Sequence, residues 1–76
     1  MRPDPRTLPK RFGATVRSVR HKSGLTQMQL AEKADLSLNY IGEVERGEKL
    51  VSLETVFRVS HALGITGADM LKKAGI

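Results

Sequence analysis

The stretch TQMQLAEKADLSLNYIGEVERG, Thr26–Gly47, decides the fold, because it predicts two short helices joined by a tight turn. Thr26 and Gln29 have the spacing of a capping box, in which each side chain bonds the backbone amide of the other residue. A helix should therefore begin directly after Thr26. Ser37 offers a second N-cap, and the next helix should cover about 38–46.

The second of these helices has two different faces. Ile41 and Val44 point inward, with Tyr40 at the border. The opposite face follows helical spacing and consists of Asn39, Gly42, Glu43 and Arg46. A solvent-facing glycine inside a helix costs about 1 kcal/mol relative to alanine, so helix propensity does not explain Gly42. This outward face suits a helix laid in a DNA groove, and the alternative is an ordinary solvent-exposed helix face.

Apolar residues recur at helical spacing on both sides of this stretch, which predicts three further helices. The first covers about 10–23, the fourth begins after Ser52 and ends at Gly64, and the fifth covers about 67–74. A helix of two turns is unstable alone, so the fifth must be buried against something. The expected fold is all-α, with five helices.

The positive charge is concentrated at the N-terminus. Residues 1–25 carry seven of the 13 Lys and Arg and only one of the 8 acidic residues. The prolines of residues 1–9 predict a disordered or extended basic tail, followed by a folded domain over 10–76. Such a tail either lies along DNA phosphates or only keeps the protein in solution.

Composition excludes several classes of function. A chain of 76 residues forms one small domain, and we expect neither an enclosed substrate pocket nor a small-molecule effector site. It has no cysteine, and its two histidines lack ligand spacing, so no metal or cofactor is expected. Catalytic constellations are also absent, which argues against an enzyme. Neither a membrane span nor a secretory signal is predicted, and we expect a cytoplasmic location.

Several short motifs follow one another along the chain. They are GLTQ at 24–27, LA at 30–31, Ile41 with VERG at 44–47, SLET at 52–55 and ALGI at 62–65. In this order they resemble the phage-repressor-like (Cro/cI, or XRE) helix-turn-helix family. The resemblance extends over about 12–71 and is greatest to short single-domain members such as restriction-modification controller proteins. It implies a compact five-helix lambda-repressor-like domain with the helix-turn-helix at helices two and three.

The resemblance also implies a function and a set of residues. The chain is expected to be a sequence-specific DNA-binding transcriptional regulator that inserts helix three in the major groove of double-stranded DNA. The residues expected to contact bases are Leu38, Asn39 and Glu43. Those expected to contact the DNA backbone are Gln27, Tyr40, Arg46 and Lys49. The family pattern further implies a structural ion pair between Arg20 and Glu45.

Small members of the family often form a twofold contact through their last helix. The resemblance therefore implies a homodimer on a pseudo-palindromic operator. The candidates for this interface are Leu63, Ile65, Met70 and Leu71. An alternative function is an antitoxin-type protein-interaction module with secondary DNA binding, in which Leu38, Leu50 and Val51 would contact the partner. RNA binding is less favoured, because the chain lacks aromatic platforms for stacking bases.

Overall fold

The structure is a computed structural model that describes residues 4–76. These residues form five α-helices after a short 3-10 turn, and they contain no strand. The elements are the 3-10 turn Pro5–Thr7, α1 (Leu8–Lys22), α2 (Gln27–Ala34), α3 (Leu38–Glu45), α4 (Leu53–Ala62) and α5 (Gly67–Lys73). The predicted all-α fold with five helices is confirmed.

Four of the helices begin at side-chain caps. The hydroxyl oxygens that accept a hydrogen bond from the backbone amide three residues later belong to Thr26, Ser37, Ser52 and Thr66. At α2 the capping box is complete: the Gln29 amide donates to Thr26 Oγ1 (3.1 Å), and the Thr26 amide donates to Gln29 Oε1 (2.8 Å). These local bonds satisfy amides that have no partner inside the helix.

The N-terminal part of the chain differs from the prediction. The Asp4 side chain accepts from the Arg6 amide and caps the 3-10 turn, and α1 begins at Leu8 instead of residue 10. Pro5 and Pro9 lie in first turns, where a missing amide breaks no intrahelical bond. The disordered or extended tail predicted for 1–9 is therefore wrong for residues 5–9, whereas Asp4 has an extended backbone and residues 1–3 lie outside the described part of the chain.

A single core joins the helices. α1 packs against α3 and α5, while α4 packs against α2 and α5. The largest fully buried apolar side chains are Leu30, Ile41, Met70, Val16, Val44 and Val59. Met70 has no exposed surface and Leu63 is only 8% exposed. These two dimer candidates belong to the core of one chain, so neither can provide the surface of a dimer interface.

The backbones of α1 and α3 come into close contact at Gly13, and the sequence-based prediction does not include this contact. A Cβ atom at position 13 would overlap the carbonyl oxygen of Val44 and lie 2.8 Å from that of Glu45. The backbones can approach this far only because residue 13 has no side chain. Gly13 lies beside the buried Phe12 on the apolar face of α1, and a glycine on that face is the signal that could have revealed the contact.

We predict that Gly13→Ala lowers the free energy of unfolding by about 1 to 3 kcal/mol, because the added methyl group must push two packed helices apart. Urea unfolding followed by circular dichroism measures the change. Ser18→Ala, on the exposed face of α1, is the control and should change stability little. A gain of about 1 kcal/mol for Gly13→Ala, as helix propensity alone would give, would contradict this role.

Candidate nucleic-acid interface

A three-residue turn connects α2 and α3. Asp35 ends α2 with a left-handed backbone conformation (φ 57°), which aspartate tolerates better than most residues with a side chain. The amide of Leu36 then donates to the carbonyl oxygen of Ala31 (2.9 Å), and the Leu36 side chain packs against the core. Ser37 starts α3 immediately afterwards. The turn is therefore anchored at both ends, and it fixes how α3 leaves α2.

A buried cluster of polar side chains ties α3 to the rest of the domain. Arg20 donates from Nε to Glu45 Oε2 (2.7 Å) and from Nη2 to Glu45 Oε1 (2.9 Å). Only 9% of the Arg20 side chain and 2% of the Glu45 side chain are exposed. Arg20 Nη1 also donates to the carbonyl oxygen of Leu25 (2.9 Å), and Gln27 Nε2 donates to Glu45 Oε1 (3.0 Å). The cluster thus joins α1, the start of α2 and the end of α3.

The surroundings of Glu45 act on its pKa in opposite directions. Burial by itself raises the pKa, because it disfavours the charged form. Hydrogen bonds from Arg20 and Gln27, together with the charges of Arg20 and Arg17, more than offset this effect. The pKa of Glu45 therefore lies below its ordinary value, and the carboxylate stays ionised at neutral pH.

The outward face of α3 carries the three residues that the sequence predicts as base contacts. Leu38 is 43% exposed, an unusual position for a large apolar side chain, and Asn39 is also exposed. Glu43 is partly exposed one turn further along. Ile41 and Val44, on the inner face, are buried in the core. The structure therefore brings the three candidates together on one accessible face.

Gly42 is buried, so the sequence-based prediction of a solvent-facing glycine is wrong. The side chain of Arg46, one turn later, points back along α3 and covers it, as helical side chains tend to do. A Cβ atom at position 42 would lie 3.0 Å from Nη1 of Arg46. Arg46 Nε in turn donates to Glu48 Oε2 (2.7 Å). The missing side chain at position 42 provides the space in which the guanidinium group rests.

The four predicted backbone contacts fall into two groups. Gln27 and Tyr40 make internal contacts: Gln27 bonds to Glu45, and the hydroxyl of Tyr40 shares a hydrogen bond with Thr55 Oγ1 (3.1 Å). Arg46 and Lys49 are exposed at the end of α3 and in the loop that follows. Lys49 Nζ lies 3.9 Å from a carboxylate oxygen of Glu43. The internal roles of Gln27 and Tyr40 involve partners distant in sequence.

An apolar groove lies where the loop after α3 meets the start of α1 and the C-terminal residues of the chain. Its most exposed members are Leu50 (82%), Leu53 (85%) and Ile76 (44%). The other residues that line it are Leu8, Pro9, Phe12, Val51, Val56 and Leu71. Of the two dimer candidates with partly exposed side chains, Leu71 lines this groove, while Ile65 lines a different groove between α1 and α5.

Two further observations concern other kinds of site. Within residues 4–76, no cluster of three or more histidine or acidic side chains is placed to hold a metal ion. None of the helices formed by these residues is long and apolar enough to cross a membrane.

Comparison with known proteins decides the family. Residues 11–71 match the family model described as a helix-turn-helix domain. The chain belongs to the XRE-like helix-turn-helix family. Control protein C.BamHI of Bacillus amyloliquefaciens is 43% identical to it over 61 residues, which cover 79% of this chain and 75% of that protein. Control protein C.SmaI of Serratia marcescens is 41% identical over 61 residues, covering 80% and 73%.

Solved structures agree with this assignment. The clp gene regulator ClgR from Corynebacterium glutamicum superimposes with a TM-score of 0.84 at 44% identity, over 90% of this chain and 88% of that one. The restriction-modification controller protein C.AhdI from Aeromonas hydrophila has a TM-score of 0.79 at 35% identity, over 82% and 94%. Members of this family are transcriptional regulators, and the predicted DNA-binding regulator is confirmed at that level.

The stability contributed by Glu45 should depend on pH. Because its pKa is lower in the folded than in the unfolded chain, this contribution is complete above the unfolded value, about 4, and is lost as the pH falls through the folded value. Glu45→Gln should lower the free energy of unfolding by roughly 3 to 5 kcal/mol at about pH 7, since it leaves Arg20 buried without a counter-ion.

We expect the difference between wild type and Glu45→Gln to shrink at about pH 3, as measured by urea unfolding. Glu32→Gln, which alters an exposed carboxylate on α2, is the control and should show a small difference at both pH values. A large difference for Glu45→Gln that stays constant from about pH 7 to about pH 3 would contradict this account.

Proposed function

We propose that this regulator binds operator DNA by placing α3 in the major groove, and that it acts as a homodimer on a pseudo-palindromic site. The observation that carries the proposal is the exposed stripe of Leu38, Asn39 and Glu43 on a helix whose opposite side is fixed by the Arg20–Glu45 pair. A recognition helix needs both properties, because base contacts require accessible side chains on a rigid support.

Each residue of the stripe suits a different feature of the major groove. The Asn39 amide can bond adenine bidentately at N6 and N7, and the Glu43 carboxylate can accept from the amino group of cytosine. Leu38 can pack against the methyl group of thymine. Glu43 brings a negative charge toward an anionic groove, and Lys49 nearby reduces its repulsion from the phosphates. Part of the specificity should therefore depend on the shape of the DNA.

Contacts with the DNA backbone flank this stripe. At the start of α2, the first backbone amides have no intrahelical acceptor, so they can donate to a phosphate beside Gln27. Arg46 and Lys49 supply positive charge at the other end of α3. The hydroxyl of Tyr40 already bonds to Thr55, so we assign any contact of Tyr40 with the DNA backbone to the edge of its ring. These contacts position the protein, whereas the stripe reads sequence.

The apolar groove is the surface that we assign to the dimer. Leu50 and Leu53 are more than four-fifths exposed, and Leu71 and Ile76 from the C-terminus lie beside them. Exposed apolar residues that adjoin one another mark an interaction site more often than isolated ones do. We assign the groove to a second copy of the chain, because a twofold dimer presents two recognition helices to half-sites that lie about 34 to 36 Å apart, one turn of DNA.

The names of the relatives describe transcriptional control of different genes. They include control proteins of restriction-modification systems and a clp gene regulator. Similarity therefore supports the regulatory function without favouring one target gene.

Selection from a randomised pool of duplexes tests the recognition helix. Wild type should enrich one motif, and Asn39→Ala and Glu43→Ala should each relax the preference at a different base pair, by about 1 to 3 kcal/mol. Glu54→Ala, which removes an exposed carboxylate on α4, is the control and should keep the wild-type motif. If no motif were enriched, or if both recognition-helix variants selected the wild-type motif, the assignment of α3 would be wrong.

Analytical ultracentrifugation tests the dimer. Wild type should sediment at micromolar concentration as a dimer of two 8.4 kDa chains. Leu53→Glu should be monomeric, because the substitution puts a charge into the apolar groove. Phe57→Glu is the matched control on the same helix, outside the groove, and should stay dimeric. A wild-type monomer, with and without DNA, would refute the dimer and favour a different protein partner for the groove.

A further inference from the structure

Three positively charged side chains act on the carboxylate of Glu48, in the loop that follows α3. Arg46 donates to it from Nε (2.7 Å) and from Nη2 (3.3 Å). These hydrogen bonds, together with the charges of Arg46, Lys10 and Lys49, hold the pKa of Glu48 below its ordinary value. Glu48 is thus one of two carboxylates among these basic side chains, and the other is Glu43, which lies 3.9 Å from Lys49 Nζ.

Lys10 reaches this cluster because the start of α1 packs directly against the loop. Gly47 has a positive φ of 73°, and a Cβ atom there would lie 2.7 Å from Cγ and 2.8 Å from Cα of Lys10. The contact leaves no room for a side chain at position 47. It places the first turns of α1 on the same edge of the molecule as the end of the recognition helix.

We propose that Glu48 occupies, in the free protein, the place of a DNA phosphate, and that Lys10, Arg46 and Lys49 form one phosphate site which DNA opens by displacing Glu48. The inference rests on the proposed DNA binding and deepens it, because Lys10 and Glu48 are not among the predicted contacts. Carboxylate and phosphate bind the same fork of guanidinium N–H groups, so they compete for Arg46.

The competition is reversible because the pair is exposed. Arg46 and Glu48 keep 59% and 51% of their side-chain surface in solvent, and exposed ion pairs of this kind are weak. When a phosphate takes Arg46, the released Glu48 carboxylate attracts a cation from solution. This uptake cancels part of the counter-ion release that drives DNA binding. Glu48 should therefore lower the affinity for every DNA sequence and make binding less sensitive to salt.

The test uses the full chain and a short duplex of random sequence, with binding measured by fluorescence anisotropy from about 50 to 200 mM salt. Glu48→Gln should bind roughly threefold to tenfold more tightly than wild type at the lowest salt, with a salt slope larger by about 0.9. Glu54→Gln is the matched control, because Glu54 is likewise an exposed carboxylate paired with an arginine, Arg58. It should bind like wild type. Lys10→Gln should bind more weakly.

A second background separates competition from simple repulsion. If Glu48 acts by holding Arg46, the gain from Glu48→Gln should disappear when Arg46→Gln is also present. The proposal would be overturned if the gain in affinity persisted in the Arg46→Gln background, if it equalled that of Glu54→Gln, or if there were no gain. Failure of both wild type and Glu48→Gln to bind the duplex would also overturn it. Loss of sequence preference in the pool selection would instead count against the proposed function, because this test uses random DNA.

Discussion

The buried ion pair between Arg20 and Glu45 is the interaction on which the geometry of the proposed DNA-binding surface depends. It joins α1 to the end of α3, and Gln27 extends it to the start of α2. The free-energy cost of removing two charges from water offsets most of their attraction. Such a pair therefore adds little stability relative to a well-packed apolar substitute. Its bidentate geometry instead fixes the orientation of α1 relative to α3. If α1 slid along α3, both charges would be left buried and unpaired.

The same helix crossing is fixed by close packing at Gly13, against the carbonyl oxygens of Val44 and Glu45. Steric contact sets the distance between α1 and α3, and the ion pair sets their orientation. The side chains of Asn39 and Glu43 on the outer face of α3 take no part in the buried core, which leaves them available for the base contacts that we propose. This division explains how one short helix can be held rigidly on its inner side while its outer side stays accessible.

The sequence predicts features that depend on neighbouring residues. The caps at Thr26 and Ser37 are examples, because their hydrogen bonds span three residues. Contacts between residues that are distant in the sequence are harder to predict. The sequence predicts the Arg20–Glu45 pair only through family resemblance, and it does not predict the contact at Gly13, because the atoms that Gly13 approaches lie in another helix. The sequence predicts too late a start for α1, because prolines usually interrupt helices. The first turn of a helix tolerates them, and α1 has a proline there.

We propose that the buried pair holds α3 so that its outer face meets DNA. The most direct measurement is a titration of the ¹⁵N-labelled protein with a duplex carrying its selected motif, followed by amide chemical shifts. We expect the largest changes at the start of α2, along the outer face of α3 and in the loop that follows, with the exposed face of α4 around Phe57 unaffected. Changes centred on that face of α4 would contradict the proposed DNA interface.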